Sequence, residues 1–196
     1  MFDLSRAHSF TNLHKWAMAA GPVTALHATN EAMRTSHHVV PSWQADSGLL
    51  LESRWPGTRD FAAWLSVPDA LAYLEEWRSI DGLSAQRFNA IGWQEAEAML
   101  REAWDVEPAT AEPDALSCIG MGMVRLPCAL DLSGDQPGQP SAGVRARLRH
   151  EFGIEAAVGG FGEHGGFLRL SHAVYNVDED FERLRDAVST MARCGV

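Results

Sequence analysis

Lysine is almost missing from this chain of 196 residues: Lys15 is the only one, and fifteen arginines carry the rest of the positive side-chain charge. Cysteine is scarce too. Cys118, Cys128 and Cys194 are odd in number and show no Cys-x-x-Cys spacing, which argues against a disulfide framework and a zinc knuckle and favours a reducing compartment. No uninterrupted apolar stretch reaches the roughly 20 residues that span a bilayer. Met1 to Phe10 mixes Asp3, Arg6 and His8 among apolar residues, so it does not read as a signal peptide. A block of like basic charge is absent as well, and 16 basic against 26 acidic residues leave a net charge of −10. Nucleic acid and membrane are therefore not expected partners, and a cytoplasmic protein is expected. What the chain does have is 46% hydrophobic residues, enough for one sizeable core or slightly more than one domain.

Residues 1 to 58 show weak helical periodicity. Their short apolar runs, Val23 to Leu26, Val39-Val40 and Leu49 to Leu51, are separated by glycine and proline, which reads as strands and loops that need another layer to pack on. Beyond them the pattern becomes helical. Ser66 is a candidate N-cap for a helix with Pro68 in its first turn and Leu71, Leu74 and Trp77 at helical spacing, stopping at Gly82. A second helix is expected from Ser84 to Trp104, with Gly92 a weak point inside it. Polar connectors at 105 to 114 and 131 to 143 flank a strand candidate, Leu116 to Leu126, whose Gly120 and Gly122 suggest close backbone approach. A basic helix from Ser141 to Phe152, a strand at Ala156 to Val158, and a glycine-rich turn into Phe167-Leu168-Arg169-Leu170-Ser171 follow. Alternation there places Phe167, Arg169 and Ser171 on one face and Leu168 and Leu170 on the other. Asp178 opens a last helix, with Phe181, Leu184, Ala187 and Val188 as its buried stripe. The order of elements is that of a small α/β layer.

Lys15 is the first candidate for chemistry. A surface cation could be either basic residue, but only lysine readily sheds its proton when desolvated, and the neutral amine attacks carbonyls. Its neighbours Leu13, Trp16 and Ala17 are apolar and the nearest carboxylates in sequence are Asp3 and Glu31. The plain alternative is an ordinary surface lysine.

Asn12-Leu13-His14-Lys15-Trp16 resembles the cofactor-lysine segment of the class V aminotransferase family, pyridoxal-phosphate enzymes of fold type I, and in particular the isopenicillin N epimerase-like branch. The resemblance continues at Val40-Pro41-Ser42-Trp43, at Trp55-Pro56-Gly57-Thr58-Arg59-Asp60, through Ala63-Trp64-Leu65-Ser66-Val67-Pro68-Asp69-Ala70-Leu71, and at Phe167-Leu168-Arg169-Leu170-Ser171 with Tyr175-Asn176. It implies pyridoxal 5'-phosphate as cofactor and Lys15 as the Schiff-base lysine and proton shuttle. His14 and Asn12 would lie against the cofactor, and Gly57-Thr58 would form a turn reaching the phosphate of a partner subunit, hence a homodimer. Arg169 would receive the α-carboxylate of an amino-acid substrate, a task suited to a planar guanidinium on a rigid strand. For Thr58 and Asp60 the alternative is helix capping near Phe61, and for Arg169 an exposed strand arginine.

Family members carry a long stretch before the lysine, whereas fourteen residues precede it here. The expectation is therefore the C-terminal part of such a fold, lacking most of the large domain's parallel sheet: residues 1–58 the remainder of the cofactor-binding domain, and residues 59–196 a small α/β domain. Two functions stay open. One is a pyridoxal-phosphate enzyme, or the C-terminal portion of one, performing epimerisation, amino transfer or lyase chemistry. The other is a non-catalytic remnant or a split-enzyme subunit. Two departures sit near the site: Ala20-Gly21-Pro22 stands where the family usually has Pro-Lys-Gly, and Ser171-His172-Ala173 where relatives have Ser-Ala-His.

Other sites are weaker. His37-His38 lack the spacing of a zinc site, so no metal is expected. Gly159-Gly160-Phe161-Gly162 precedes a strand, not the helix N-terminus a phosphate loop needs. A Gly-x-Ser-x-Gly elbow is missing.

Overall fold

A computed structural model describes residues 8–54, 57–109, 120–130, 132, 135, 143–160 and 166–194. Readings that fall on the N-terminal seven residues, Trp55-Pro56, residues 110 to 119, most of the connector at 131 to 143, Ser141 and the middle of the glycine-rich turn lie outside the described residues. The fold is mixed α/β with small sheets, in two compact units, residues 1–77 and 78–196. The junction taken from the sequence, between residues 58 and 59, lies inside the first unit.

The first unit opens with an antiparallel hairpin of β1 (His8–Asn12) and β2 (Thr24–Ala28), in a register that pairs Phe10 with Leu26 and Asn12 with Thr24. A single helical turn, α1 (Leu13–Trp16), leaves β1 directly. Helix α2 (Asn30–Thr35) is capped by Thr29, whose hydroxyl accepts from the amide of Ala32 at 3.2 Å. The apolar run Leu49 to Leu51 is helical rather than extended: it belongs to α3 (Leu49–Glu52). Gly48 makes this possible. Its φ of +86° favours glycine, and a Cβ there would sit 3.1 Å from the Met33 carbonyl. Val39 and Val40 form no strand and are exposed.

Helices α4 (Ala62–Leu65) and α5 (Val67–Glu76) end the unit. Ser66 is not an N-cap. Because α4 runs straight into it, Ser66 already has helical angles, and its hydroxyl donates to the Ala63 carbonyl at 2.8 Å and accepts from the Ala20 amide at 2.9 Å. The buried apolar side chains of this unit are Ala17, Ala19 and Val23 among the described residues.

The second unit is a three-stranded antiparallel sheet of order β3-β5-β4 with helices on one face. Helix α6 (Ala85–Trp104) starts where the sequence places it, with the Ser84 hydroxyl accepting from the Arg87 amide. Strand β3 (Met121–Arg125) pairs with β5 (Gly166–Ser171), which pairs in turn with β4 (Ala157–Gly160). Helix α7 (Val144–Phe152) is capped by Asp135, whose carboxylate accepts from the amides of Val144 and Arg145 at 2.7 and 3.0 Å. Helix α8 (Asp178–Cys194) carries the expected buried stripe. Val124, Leu168 and Leu170 meet Leu100 and Trp104 of α6, Leu148 of α7, and Leu184, Val188 and Met191 of α8 in one core. On β5, Arg169 and Ser171 are exposed, whereas Phe167 is buried, with the Arg125 guanidinium 5.1 Å from its ring centre.

Candidate functional site

Asn12, His14 and Lys15 are brought together at the end of the hairpin, where the β1 ladder passes into α1. The last ladder pair fixes Asn12, whose Oδ1 accepts from the Thr24 hydroxyl at 2.8 Å. That leaves its amide NH2 as a donor. The His14 ring packs back on the hairpin, with Nδ1 2.8 Å from the Val23 carbonyl and 3.2 Å from the Val23 amide. One ring nitrogen cannot both donate and accept with a single proton, and the shorter contact assigns Nδ1–H to the carbonyl. His14 Nε2 takes no part in these bonds. Lys15 is exposed, and among the described residues its amine makes no hydrogen bond or ion pair. One amine with two polar neighbours can bind a carbonyl compound that carries negative charge.

Gly57 and Thr58 lie further along the same unit. Gly57 has a φ of +82° with open space where a Cβ would go, and Thr58 is exposed. The cap that the sequence offered to both Thr58 and Asp60 is made by Asp60, whose Oδ1 accepts from the Ala62 amide at 2.8 Å.

Arg169 belongs to the second unit. It sits on central β5, exposed, between Met123 of β3 and Ala157 of β4 in register. Together with Ser171, Asn176, Ile154, Phe181 and Leu184 it lines an open cavity of about 480 Å³. Tyr175-Asn176 precede α8 in a turn: Asn176 Oδ1 accepts from the Ala173 amide at 3.0 Å, and Asp180 accepts from the Val177 amide at the start of α8.

Two histidine sites emerge that the sequence did not assign. In the first unit, Glu52 is only 3% exposed. Its Oε1 accepts from His37 Nδ1 at 2.7 Å and from the Asp46 amide at 3.2 Å, and its Oε2 accepts from the His38 amide at 3.0 Å. These donors, the His37 ring first, hold the carboxyl below its ordinary pKa, while the same ring contact raises that of His37. Next to it, His38 Nε2 lies 2.7 Å from the Ser53 hydroxyl, which donates to the Leu49 carbonyl. The only hint of this in the sequence is a carboxylate ending an apolar run.

In the second unit, His172 is 6% exposed. Its ring stacks on Phe181, meets Phe88 edge-on, and occupies the space a Cβ on Gly92 would need. Burial lowers its pKa, against the pull of Asp178 and Asp180. Gly92 is thus the close-approach residue of α6, not a flaw in it.

Among the described residues no three metal-ligating side chains cluster, and no helix is long and apolar enough to cross a membrane. Cys128 is an exposed free thiol.

No family model matches the chain. It is 34% identical to a probable chloroplastic L-cysteine desulfhydrase of Arabidopsis thaliana, over 94% of this chain and 40% of that protein. Identity is also 34% with a putative L-cysteine desulfhydrase of Oryza sativa, over 98% of this chain and 42% of the relative. With the isopenicillin N epimerase of Amycolatopsis lactamdurans it is 26%, over 92% and 46% respectively. The chain therefore spans a little over two fifths of the length of the curated relatives it matches.

Proposed function

Because the chain is a homologue of pyridoxal-phosphate-dependent, class V aminotransferase-like proteins and matches their C-terminal half, we propose that it contributes the lysine and the substrate-carboxylate arginine of an enzyme acting on an amino acid. The observation that carries this reading is the position of Lys15, the chain's sole lysine, between polar neighbours at the end of a hairpin.

The donor set fits such a cofactor. A phosphorylated pyridine aldehyde needs an amine to hold its carbonyl carbon and donors for its anionic groups. Lys15 provides the amine, and the Asn12 amide and His14 ring provide polar contacts. Gly57 and Thr58, in an open and exposed segment, are available to the phosphate of a second copy, which makes a homodimer part of the proposal. When bound, the cofactor supplies an electron sink for charge at the substrate α-carbon. The chain's own residues do the rest. The Lys15 amine takes or returns a proton at that carbon, and Arg169 holds the α-carboxylate in a bidentate grip so that the scissile bond is aimed rather than left to tumble. Epimerase, transferase and lyase outcomes differ only in where the proton returns or what leaves. The names of the relatives favour amino-acid chemistry at a sulfur-bearing or similar substrate.

Borohydride treatment of the protein incubated with pyridoxal phosphate, followed by peptide mass spectrometry, tests this. The expected result is a pyridoxyl group on Lys15 and none in Lys15→Ala. No label on Lys15, with or without a separately supplied N-terminal polypeptide from a relative, removes the reading and favours a non-catalytic remnant; label that appears only with that polypeptide supports a split enzyme.

A further inference from the structure

We infer that the cavity beside Arg169 accommodates an amino acid whose side chain carries a second negatively charged group, with Arg183 as the anchor for that group. The inference rests on the role of Arg169 proposed above and deepens it by naming the substrate class. The cavity has a volume of about 480 Å³. That lies in the range of pockets that enclose a small-molecule ligand and is more than one carboxylate fills. Two elements each contribute a guanidinium to the lining: β5 brings Arg169 and α8 brings Arg183. Ile154, Phe181 and Leu184 add apolar wall, so the cavity suits an apolar spacer with a charge at each end.

The charges in the lining decide the sign of those ends. Arg145 and Glu155 neutralise one another across 2.6 Å, and Arg149 brings a second cation to the same carboxylate. Asp180 is committed to the start of its own helix, where Oδ2 accepts from the Val177 amide at 3.3 Å and from the Asn176 side-chain amide at 3.2 Å. Arg169 and Arg183 differ. Among the described residues neither forms an ion pair, and Arg183 gives only one bond, from Nη2 to the Phe152 carbonyl at 3.3 Å. Most of the donors on both guanidinium groups are thus left for a ligand. Each can grip a carboxylate in a charge-assisted, bidentate contact, so Arg169 holds the α-carboxylate and Arg183 the distal group.

Calorimetric titration of the full chain at fixed, low ionic strength with butyrate and succinate, which differ by one carboxylate on the same carbon chain, tests the assignment. Succinate is expected to bind about 10-fold tighter, the worth of one charge-assisted contact. Arg183→Gln should remove that preference and leave butyrate binding unchanged, whereas Arg169→Gln should weaken both ligands. Because Arg183 is exposed, its variant should keep the wild-type urea midpoint. Arg193→Gln, at an exposed position of α8 outside the cavity lining, should leave the preference intact. Equal affinities for the two ligands overturn the proposal. So does a preference that survives Arg183→Gln, or one that falls equally in Arg193→Gln, which is the mark of general charge attraction. Butyrate binding that is absent, or indifferent to Arg169→Gln, overturns instead the assignment of Arg169 as the carboxylate anchor from which the proposal starts.

Discussion

The two compact units use similar apolar residues to different ends. In residues 78–196, fifteen buried side chains form one continuous core, and Leu100, Leu148, Val124 and Val188 are completely shielded. In residues 8–77 the described apolar burial amounts to two alanines and a valine, while Val39, Trp43 and Leu65 are 100%, 95% and 74% exposed. Local order in the first unit comes instead from polar devices: the Thr29 cap, the Asn12–Thr24 side-chain bond, and the Glu52 carboxylate gathering three donors. Such bonds specify conformation but each contributes only about 1 kcal/mol net. A core of that size contributes far more through burial. The difference teaches that, among the described residues, the first unit's secondary structure is specified mainly by local polar bonds, whereas the second unit's follows from a shared apolar core.

The largest effects should fall in the second unit. Leu100→Ala empties a fully buried site between α6 and the sheet, and is expected to cost about 2–5 kcal/mol in urea unfolding. Trp43→Ala removes a larger side chain that touches little, and should change stability by about 0.5 kcal/mol or less. Equal losses from the two substitutions would mean that the exposed face of the first unit is covered in solution, and the comparison would fail.

A smaller effect sharpens the packing argument. Gly92→Ala should gain up to about 1 kcal/mol in helix propensity, but its methyl would overlap the His172 ring, at a cost of about 1–3 kcal/mol. The net loss should shrink in a His172→Ala background. A double-mutant cycle with no coupling would show that Gly92 and His172 do not meet.

The histidines of the two units should respond to pH in opposite directions. The pKa of His172 is lowered in the folded state, so as pH falls below 6.5 the unfolded chain binds the proton first. Its contribution is full above that value and is lost on acidification. The pKa of His37 is raised, so its contribution is full below 6.5 and is lost as pH rises through the raised value. That of Glu52, lowered from 4.5, is lost only as pH falls through the lowered value. Hydrogen exchange resolved by peptide, corrected for intrinsic rates, should show protection around His172 falling toward acid and protection of residues 37–46 falling toward alkali. His172→Phe should flatten the first trend. Parallel trends in the two regions would contradict the assigned environments.

Much of the second unit was legible in the sequence because its apolar periodicity is the packing itself: the bounds of α6, the alternation in β5 and the stripe of α8 follow from residues that face one core. The first unit was less legible for the same reason. Leu49 to Leu51 read as a generic apolar run, and nothing in its spacing reveals that Gly48 admits a helical turn against α2. Of the site, Asn12, His14 and Lys15 are neighbours in sequence and so were visible together. The Glu52 pair was hidden because it joins residues fifteen apart by side-chain geometry, and adjacent histidines suggest a metal before they suggest two separate hydrogen-bond partners. Ser66 misled through context: a serine before Val-Pro is a cap only if no helix precedes it.

The smallest effect is expected at the most conspicuous charges. Glu155 accepts from Arg145 at 2.6 Å and from Arg149 as well, yet all three side chains are about half exposed. Water screens both pairs and long side chains lose entropy in holding them, so Glu155→Gln should shift the urea midpoint little, and that shift should vanish at high salt. The substitution has a second consequence in the cavity beside Arg169, which Arg145 and Glu155 also line. Removing the carboxylate leaves Arg145 unneutralised there, so binding of a simple carboxylate such as acetate should tighten in proportion to the added charge and weaken with salt. Unchanged acetate binding would mean that Arg169 alone sets the anion preference of this cavity, whereas a loss of stability comparable to that of Leu100→Ala would place α7 among the elements held by charge rather than by the Leu148 and Val144 contacts that anchor it to the core.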